Sequence, residues 1–154
     1  MIWFRKPLIL FLFTIIAFLS TVQSAEATTM TFTVQSGKEE TKPLNLAVED
    51  RVLIKFTVIG SSDSSIRFSI TYPNGTAKKF GKEGYFNYDF VCDAEGEYVL
   101  HFSNTDSAED KLVTLDYEVQ HYIFGIPQML FLAIIIVVIC VAAVAVFILM
   151  GKPH

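Results

Sequence analysis

The feature that most constrains the chain is an uncharged segment of 22 residues, from Met129 to Met150. At about 1.5 Å per helical residue, a helix of this length spans the roughly 30 Å hydrocarbon core of a bilayer. We therefore predict one transmembrane helix over residues 129–150. We expect residues 151–154, which follow it, to form a cytoplasmic tail.

A second apolar segment lies near the N-terminus. A basic start at Arg5 and Lys6 precedes an apolar run from Leu8 to Leu19, and the small-residue sequence Ala25-Glu26-Ala27 follows. This order is typical of a secretory signal peptide, which we predict over residues 1–27. An alternative interpretation keeps the segment as an uncleaved anchor, which would give the chain two membrane spans.

Charges beside the predicted span indicate its orientation. Lys152 follows the span, whereas Asp116 and Glu118 precede it. Basic flanks favour the cytoplasmic side of a membrane. Together with the signal peptide, they predict a single-pass membrane protein whose C-terminus is cytoplasmic and whose ectodomain is lumenal or extracellular.

The segment between the two apolar regions is acidic. Residues 28–128 contain 15 Asp plus Glu and 9 Lys plus Arg, and no basic block that could follow a phosphate backbone. This composition disfavours nucleic acid as a partner. About 100 residues is a common size for one domain and leaves no room for two.

Apolar and polar residues alternate through most of the ectodomain, as in strands with one buried face. The predicted strands are Met30–Val34, a short edge piece Leu44–Val48, a central strand Arg51–Ile59, Ile66–Tyr72, Tyr85–Cys92, Tyr98–Phe102 and Val113–Val119. Gly37–Pro43 is predicted as a charged loop and Thr76–Gly84 as a looser stretch. Strands at this spacing, without a helical period, predict an antiparallel β-sandwich of about seven to eight strands over residues 28–122.

The end of the last strand predicts where the domain meets the membrane. His121, Tyr122 and Phe124 precede the span, and Gly125 and Pro127 interrupt strand geometry. Amphipathic rings are enriched at membrane–water interfaces. We therefore expect these three side chains to contact the interface and residues 123–128 to form a juxtamembrane aromatic belt.

The chain has two cysteines, Cys92 in the ectodomain and Cys140 in the predicted span, so no disulfide can form within the ectodomain. Cys92 continues the apolar positions of its strand, which predicts a buried thiol. An intermolecular disulfide is the alternative.

Motifs for catalysis or cofactor binding are missing from the sequence. His101, His121 and His154 are too far apart to form a spacing motif, and the chain has no nucleophile elbow, zinc-protease helix, paired-cysteine motif or phosphate-binding glycine loop. The acidic loops match no defined calcium loop. We therefore predict no enzymatic activity, no metal and no cofactor.

Two surface sites are candidates, one for modification and one for recognition. Asn74-Gly75-Thr76 is a glycosylation acceptor sequence in a predicted exposed turn of an exported domain. On the strand that begins at Tyr85, the residues expected to face solvent are Tyr85, Asn87 and Asp89. We predict that this exposed face binds a partner.

Several short motifs resemble the GOLD (Golgi dynamics) domain family. Glycine, tyrosine, phenylalanine and asparagine recur in that family at the spacing of Gly96, Tyr98, Phe102 and Asn104. Ile70–Gly75 is similar to its strand and proline-glycine turn, and Lys111–Leu115 to its closing strand. The resemblance implies a structural role for the four motif residues and a receptor-like architecture, similar to the single-pass cargo receptors of the early secretory pathway.

The chain also departs from that family. Its paired cysteines are missing, and His101 stands where the cysteine before the phenylalanine falls. The family's coiled coil before the span and the aromatic and dilysine signals of its tail are also missing, as in a shorter prokaryotic relative.

These observations favour a membrane-anchored, non-catalytic recognition module that binds an exported protein or a membrane component, as a cargo receptor does. The alternative is a small accessory subunit of a larger membrane complex, docked through its span and juxtamembrane aromatic residues. The sequence does not set the oligomeric state.

Overall fold

The computed structural model describes residues 26–150. They fall into two compact units, one ending at Tyr122 and the other beginning at Ile123, and each is described by itself. The predicted signal peptide lies outside the described residues except for Glu26 and Ala27, which begin the first strand. The predicted tail also lies outside them.

Eight strands build the first unit. They are β1 (Glu26–Val34), β2 (Glu39–Leu46), β3 (Arg51–Ile59), β4 (Ile66–Thr71), β5 (Ala77–Glu83), β6 (Tyr85–Val91), β7 (Gly96–Ser103) and β8 (Lys111–Gln120). Two short strands, β9 (Tyr122–Ile123) and β10 (Ile126–Pro127), follow them, and helix α1 runs from Gln128 to Met150.

The eight strands form two antiparallel sheets. Sheet A has the order β1-β8-β3-β6 and sheet B the order β2-β7-β4-β5. The predicted β-sandwich is therefore confirmed. Strand β3 lies inside sheet A, as its apolar sequence predicts, while β6 is an edge of sheet A and β5 an edge of sheet B.

Aromatic rings fill the space between the sheets. Alternation along β3 turns Phe56 inward, where its ring centroid lies 4.9 Å from that of Phe68, 5.1 Å from that of Phe86 and 5.3 Å from that of Phe102. Edge-to-face and offset pairs at these distances add about 0.5–1.5 kcal/mol each beyond the burial of their area. The core consequently needs no disulfide to join its two sheets.

Two regions predicted to lack strands are in fact edge strands. Glu39–Pro43, predicted as a loop, forms most of β2 and pairs with β7, and the stretch predicted to be looser contains β5. Each strand has several charged residues because an edge strand borders solvent. Val48, predicted to continue the β2 pattern, lies beyond that strand and is half exposed.

Two buried polar groups lie near strand ends in the first unit. Cys92 is buried as predicted, and burial raises the pKa of its thiol to about 11, although Tyr98 opposes the shift. Lys111 is also fully buried, and its Nζ donates to the backbone carbonyl of Asp63. A lysine at the first position of a strand gives no sequence signal that it will be buried.

The second unit contains helix α1, which begins one residue before the predicted span. Over Gln128–Val146 it is long and apolar enough to cross a membrane, and none of it is buried against protein. Exposed valine and isoleucine side chains on a helix are stable when lipid surrounds them. Phe124 is 82% exposed in this unit, and its ring centroid lies 6.1 Å from that of Phe131.

Candidate recognition surface

The predicted partner-binding residues lie on one face of an edge strand. Along β6, Phe86 is buried in the core and the alternate residues Tyr85, Asn87 and Asp89 are exposed on the outer face of sheet A. Tyr85 is 65% exposed. The Tyr85 ring points away from the core, and no further strand of the described chain pairs with β6 on its free edge. The ring is therefore available for contact with another molecule.

The strand register shows what surrounds these residues. Asp89 pairs with Leu53 of β3, which pairs with Glu118 of β8, and Tyr85 precedes Asp89 by four residues on β6. A shallow depression of about 210 Å³ is lined by Arg51, Val52, Leu53, Asp89, Phe90, Val91, Glu118 and Gln120. Asp89 therefore borders the depression, whereas Tyr85 lies roughly 13 Å away at about 3.3 Å per residue.

The chemistry of this outer face is mixed. Val91 is 56% exposed beside the acidic Asp89, and the guanidinium of Arg51 lies 4.6 Å from the ring centroid of Tyr122. Exposed aromatic and apolar side chains beside charged ones are typical of protein-binding surfaces. Sequence reasoning missed Arg51, Val91 and Glu118 here, because only the pairing of β3, β6 and β8 brings them together.

His101 lies on the outer face of sheet B and joins three strands. Its Nδ1 donates to Glu39 Oε1 of β2 at 2.6 Å, and its Nε2 lies 3.0 Å from the hydroxyl of Thr71 on β4. At the position where the resemblance places a cysteine, a hydrogen-bonded imidazole thus links β2, β7 and β4. Within the part of the chain that the structure describes, no group of His, Cys, Asp and Glu is arranged to hold a metal ion.

Two of the motif residues, Gly96 and Tyr98, lie near the start of β7. Gly96 has φ of +143°, and an added Cβ would lie 2.9 Å from Cβ of Pro73. The Tyr98 ring is fully buried, and its hydroxyl donates to the backbone carbonyl of Ala94 at 3.0 Å. Burial raises the pKa of Tyr98 to about 12.

The other two motif residues lie at the end of the same strand. Phe102 is fully buried in the aromatic core. The Asn104 amide donates to the carbonyls of Val34 at 3.1 Å and Glu109 at 2.8 Å, and thereby ties β1 to the turn before β8. All four motif residues consequently lie inside the fold or against its turns.

The acceptor sequence for glycosylation occupies an exposed turn. Asn74 Oδ1 accepts hydrogen bonds from the backbone N–H of Thr76 at 2.9 Å and from its hydroxyl at 2.6 Å. Gly75 between them has φ of +80°, which suits glycine. Asn74, whose side-chain amide nitrogen would carry the glycan, is an exposed residue.

The structure places His121 and Tyr122 against the start of β3. His121 Nδ1 donates to Asp50 Oδ1 at 2.8 Å, and Tyr122 packs under Arg51. His121 also lines a cleft of about 220 Å³ with residues of β1, β2 and β8. The sequence showed no sign of this pairing, because Glu49-Asp50 has the composition of a solvated turn.

Three solved structures are similar to this chain at low identity. The periplasmic inhibitor of g-type lysozyme from Aeromonas hydrophila is 18% identical, with a TM-score of 0.49 over 64% of this chain and 93% of that one. The Salmonella Typhimurium inhibitor is 11% identical, with a TM-score of 0.44 over 64% and 92%. The Yersinia pseudotuberculosis-derived mitogen is 12% identical, with a TM-score of 0.45 over 65% and 91%.

Comparison with curated proteins gives no match. The model of the emp24/gp25L/p24 family, which describes the GOLD domain, matches residues 29–125. This range covers more than half of the 154 residues and includes all but the first three residues of the eight-stranded sandwich. The chain therefore belongs to the emp24/gp25L/p24 family of GOLD-domain proteins.

Proposed function

We propose that the chain is a membrane-anchored recognition module that binds an exported protein or a membrane component through the outer face of β6. The family consists of non-enzymatic cargo receptors, which supports a role in recognition. The observation that carries the site is the exposed ring of Tyr85 on an edge strand, with Asn87 and Asp89 on the same face. Tyrosine is enriched among the residues that dominate binding energy at protein interfaces.

The dimensions of sheet A suit such an interface. A stable protein interface covers about 800 Å² on each partner, or roughly 20–30 residues. The outer face of β6 alone is too small for that area, but β3 and β8 extend it with Lys55, Thr57, Thr114 and Asp116. A partner bound there would also cover the depression beside Asp89.

The proposed arrangement in the membrane has five parts. A signal peptide (residues 1–27) directs export, and the ectodomain (28–122) then lies in the lumen or outside the cell. A juxtamembrane belt (123–128) leads into the span (129–150), and the tail (151–154) is cytoplasmic. Helix α1 supports the single span by its length and composition.

Affinity purification of the full chain from native membranes tests the proposal. We expect the Y85A/N87A/D89A variant to lose a protein that copurifies with the wild type. The matched control T41A/N45A changes exposed residues on the outer face of sheet B and should retain it. Equal recovery of every copurified protein by the two variants would contradict the proposed surface.

A second candidate function is that of an accessory subunit, in which the span and juxtamembrane residues dock into a larger complex. The exposed ring of Phe124 favours it. Deletion of residues 28–122 behind the same signal peptide separates the two functions. Retention of the complex by the deleted form would support the accessory subunit, and its loss would support recognition by the sandwich.

A further inference from the structure

Strands β5 and β6 are not paired with each other, so the sandwich is open on this side in the sense that no strand ladder among the described residues closes it, and an exposed lysine lies there beside aromatic rings. These strands are consecutive in the chain but are edges of different sheets. We call Tyr72, Lys78, Phe80 and Tyr88 the open-side cluster. None of them belongs to the outer face of β6 discussed above.

Lys78 is an exposed residue, although its register places it on the inward side of β5. It pairs with Ile70, which is fully buried, and its Nζ donates across the gap between the sheets to the Tyr88 hydroxyl at 2.8 Å. The ammonium lies 4.6 Å from the ring centroid of Tyr88 and 5.3 Å from that of Phe80. Among the described residues, no carboxylate lies within ion-pair distance of it.

Acceptors in the described part of the chain use only some of the donors of the cluster. An ammonium has three N–H groups, and Tyr88 accepts one of those of Lys78. The hydrogen bond to Tyr88 also raises the pKa of Lys78. Burial raises the pKa of Tyr72, and nearby Tyr88 adds to the effect while Lys78 opposes it. At neutral pH the lysine is therefore charged and the Tyr72 hydroxyl is protonated.

We propose that the open-side cluster binds the phosphate group of a phosphate ester. The Lys78 ammonium and the Tyr88 hydroxyl would donate to phosphate oxygens, and the aromatic rings would contact the organic part of the ligand. Lysine is a common phosphate ligand, and charge-assisted hydrogen bonds to oxyanions are stronger than neutral ones. A tetrahedral phosphate has several acceptor oxygens for donors that approach from different directions.

The position of Lys78 in the fold is compatible with two sources of the ligand. Lys78 is the second residue of β5, at the end of the sandwich where β8 finishes and the chain leaves through His121. A phosphate ester at this end can be the headgroup of a lipid or a soluble molecule. The same chemistry serves both, so the experiment uses one probe of each kind.

Lys78 also has a purely structural interpretation. An inward-pointing charge on an edge strand prevents that edge from pairing with another sheet. That role requires the charge but not the Tyr88 hydroxyl, and it predicts no dependence on phosphate. Removal of the hydroxyl alone therefore separates binding from edge protection.

The test is calorimetric titration of the full chain in dodecyl maltoside micelles, which contain no phosphate. One probe is sn-glycerol 3-phosphate and the other is dihexanoyl phosphatidic acid, with glycerol as the uncharged control. The variants are K78M, which keeps an unbranched side chain without the charge, and Y88F, which keeps the ring. K79M is the matched control, because Lys79 is the next residue, is exposed like Lys78 and lies on the opposite face of the strand.

We expect at least one phosphate probe to bind the wild type and K79M within about twofold of each other. K78M should lose about tenfold or more in affinity and Y88F about threefold to tenfold, as expected for lost charge-assisted hydrogen bonds. Binding of phosphatidic acid alone identifies a lipid source, and binding of both probes shows that the phosphate group suffices.

Three results would overturn the proposal. They are no binding of either phosphate probe, equal affinities for wild type and Y88F, and a loss in K79M as large as in K78M. If K78M fails to fold, Y88F carries the test, since thermal unfolding can verify that this variant is folded.

Discussion

His121 donates a hydrogen bond to Asp50 across 71 residues of sequence, with 2.8 Å between His121 Nδ1 and Asp50 Oδ1. Only 1% of Asp50 is exposed, and its second carboxylate oxygen accepts the backbone N–H of Ala47 at 2.9 Å. The backbone carbonyl of Asp50 also accepts the N–H of Cys92 at 2.8 Å. The last residues of the sandwich are thereby fixed to the loop between β2 and β3, one of the loops that connect its two sheets.

Replacement of His121 by alanine should destabilise the sandwich. The change leaves a carboxylate oxygen of Asp50 without its protein donor at a nearly inaccessible site, which costs about 1–3 kcal/mol. Thermal unfolding of the full chain in detergent, followed by near-ultraviolet circular dichroism, measures the effect. The control Q120A alters an exposed neighbour and should stay within about 0.5 kcal/mol of wild type. An unchanged melting temperature for H121A would show that the pair contributes little.

Gly96→Ala should be more destabilising than Gly37→Ala. Both glycines have positive φ, +143° and +70°, but an added Cβ at Gly96 meets Pro73 at 2.9 Å while the space at Gly37 is open. We expect G37A to cost about 1 kcal/mol from backbone strain, and G96A about 2 kcal/mol or more because a steric clash is added. Chemical denaturation of both variants compares them, and equal midpoints would contradict the predicted clash.

Alkaline pH should destabilise the sandwich through Cys92. Burial raises the pKa of this thiol from 9.0 to about 11, so the folded state holds its proton more tightly than the unfolded state does. The stability from this group is fully present below pH 9 and is lost as pH rises from about 9 to 11. In C92A the unfolding free energy should fall less over this interval. Parallel curves for C92A and wild type would show that another group dominates.

Expression in a host that glycosylates Asn-X-Thr sequences tests the exposed turn. We expect one glycan on Asn74, because its amide is on an exposed residue and Thr76 donates to its oxygen. Mass spectrometry should detect the glycan in wild type and T76S, which keeps a hydroxyl, but not in T76V or N74Q. A wild-type mass equal to that of N74Q, apart from the substitution, would contradict the expectation.

The alternation of apolar residues was sufficient to predict the sandwich and the inner strands. It failed for β5, where Lys78, Lys79 and Lys82 interrupt the alternation of apolar and polar residues, and for the first half of β2. Edge strands have fewer neighbours to bury side chains against, so their sequences carry a weaker period-two signal. The inward position of Lys78 follows from its pairing with β4, which one strand's sequence does not contain.

Contacts between distant residues were equally inaccessible to sequence reasoning. The exposure of Tyr85, Asn87 and Asp89 follows from alternation within a single strand, so it could be predicted. Arg51 and Glu118 join Asp89 only through the register of three strands. The burial of Asp50 likewise depends on Cys92 and His121, which lie far along the chain.

Photo-crosslinking in native membranes tests recognition through β6 most directly. A benzoylphenylalanine at position 85 is expected to crosslink one partner protein or a defined membrane lipid. The same group at position 41, an exposed site on the outer face of sheet B, should not capture it. Changing Asn87 and Asp89 to alanine should reduce the product formed from position 85. Equal capture at the two positions, or no product at position 85, would contradict the account.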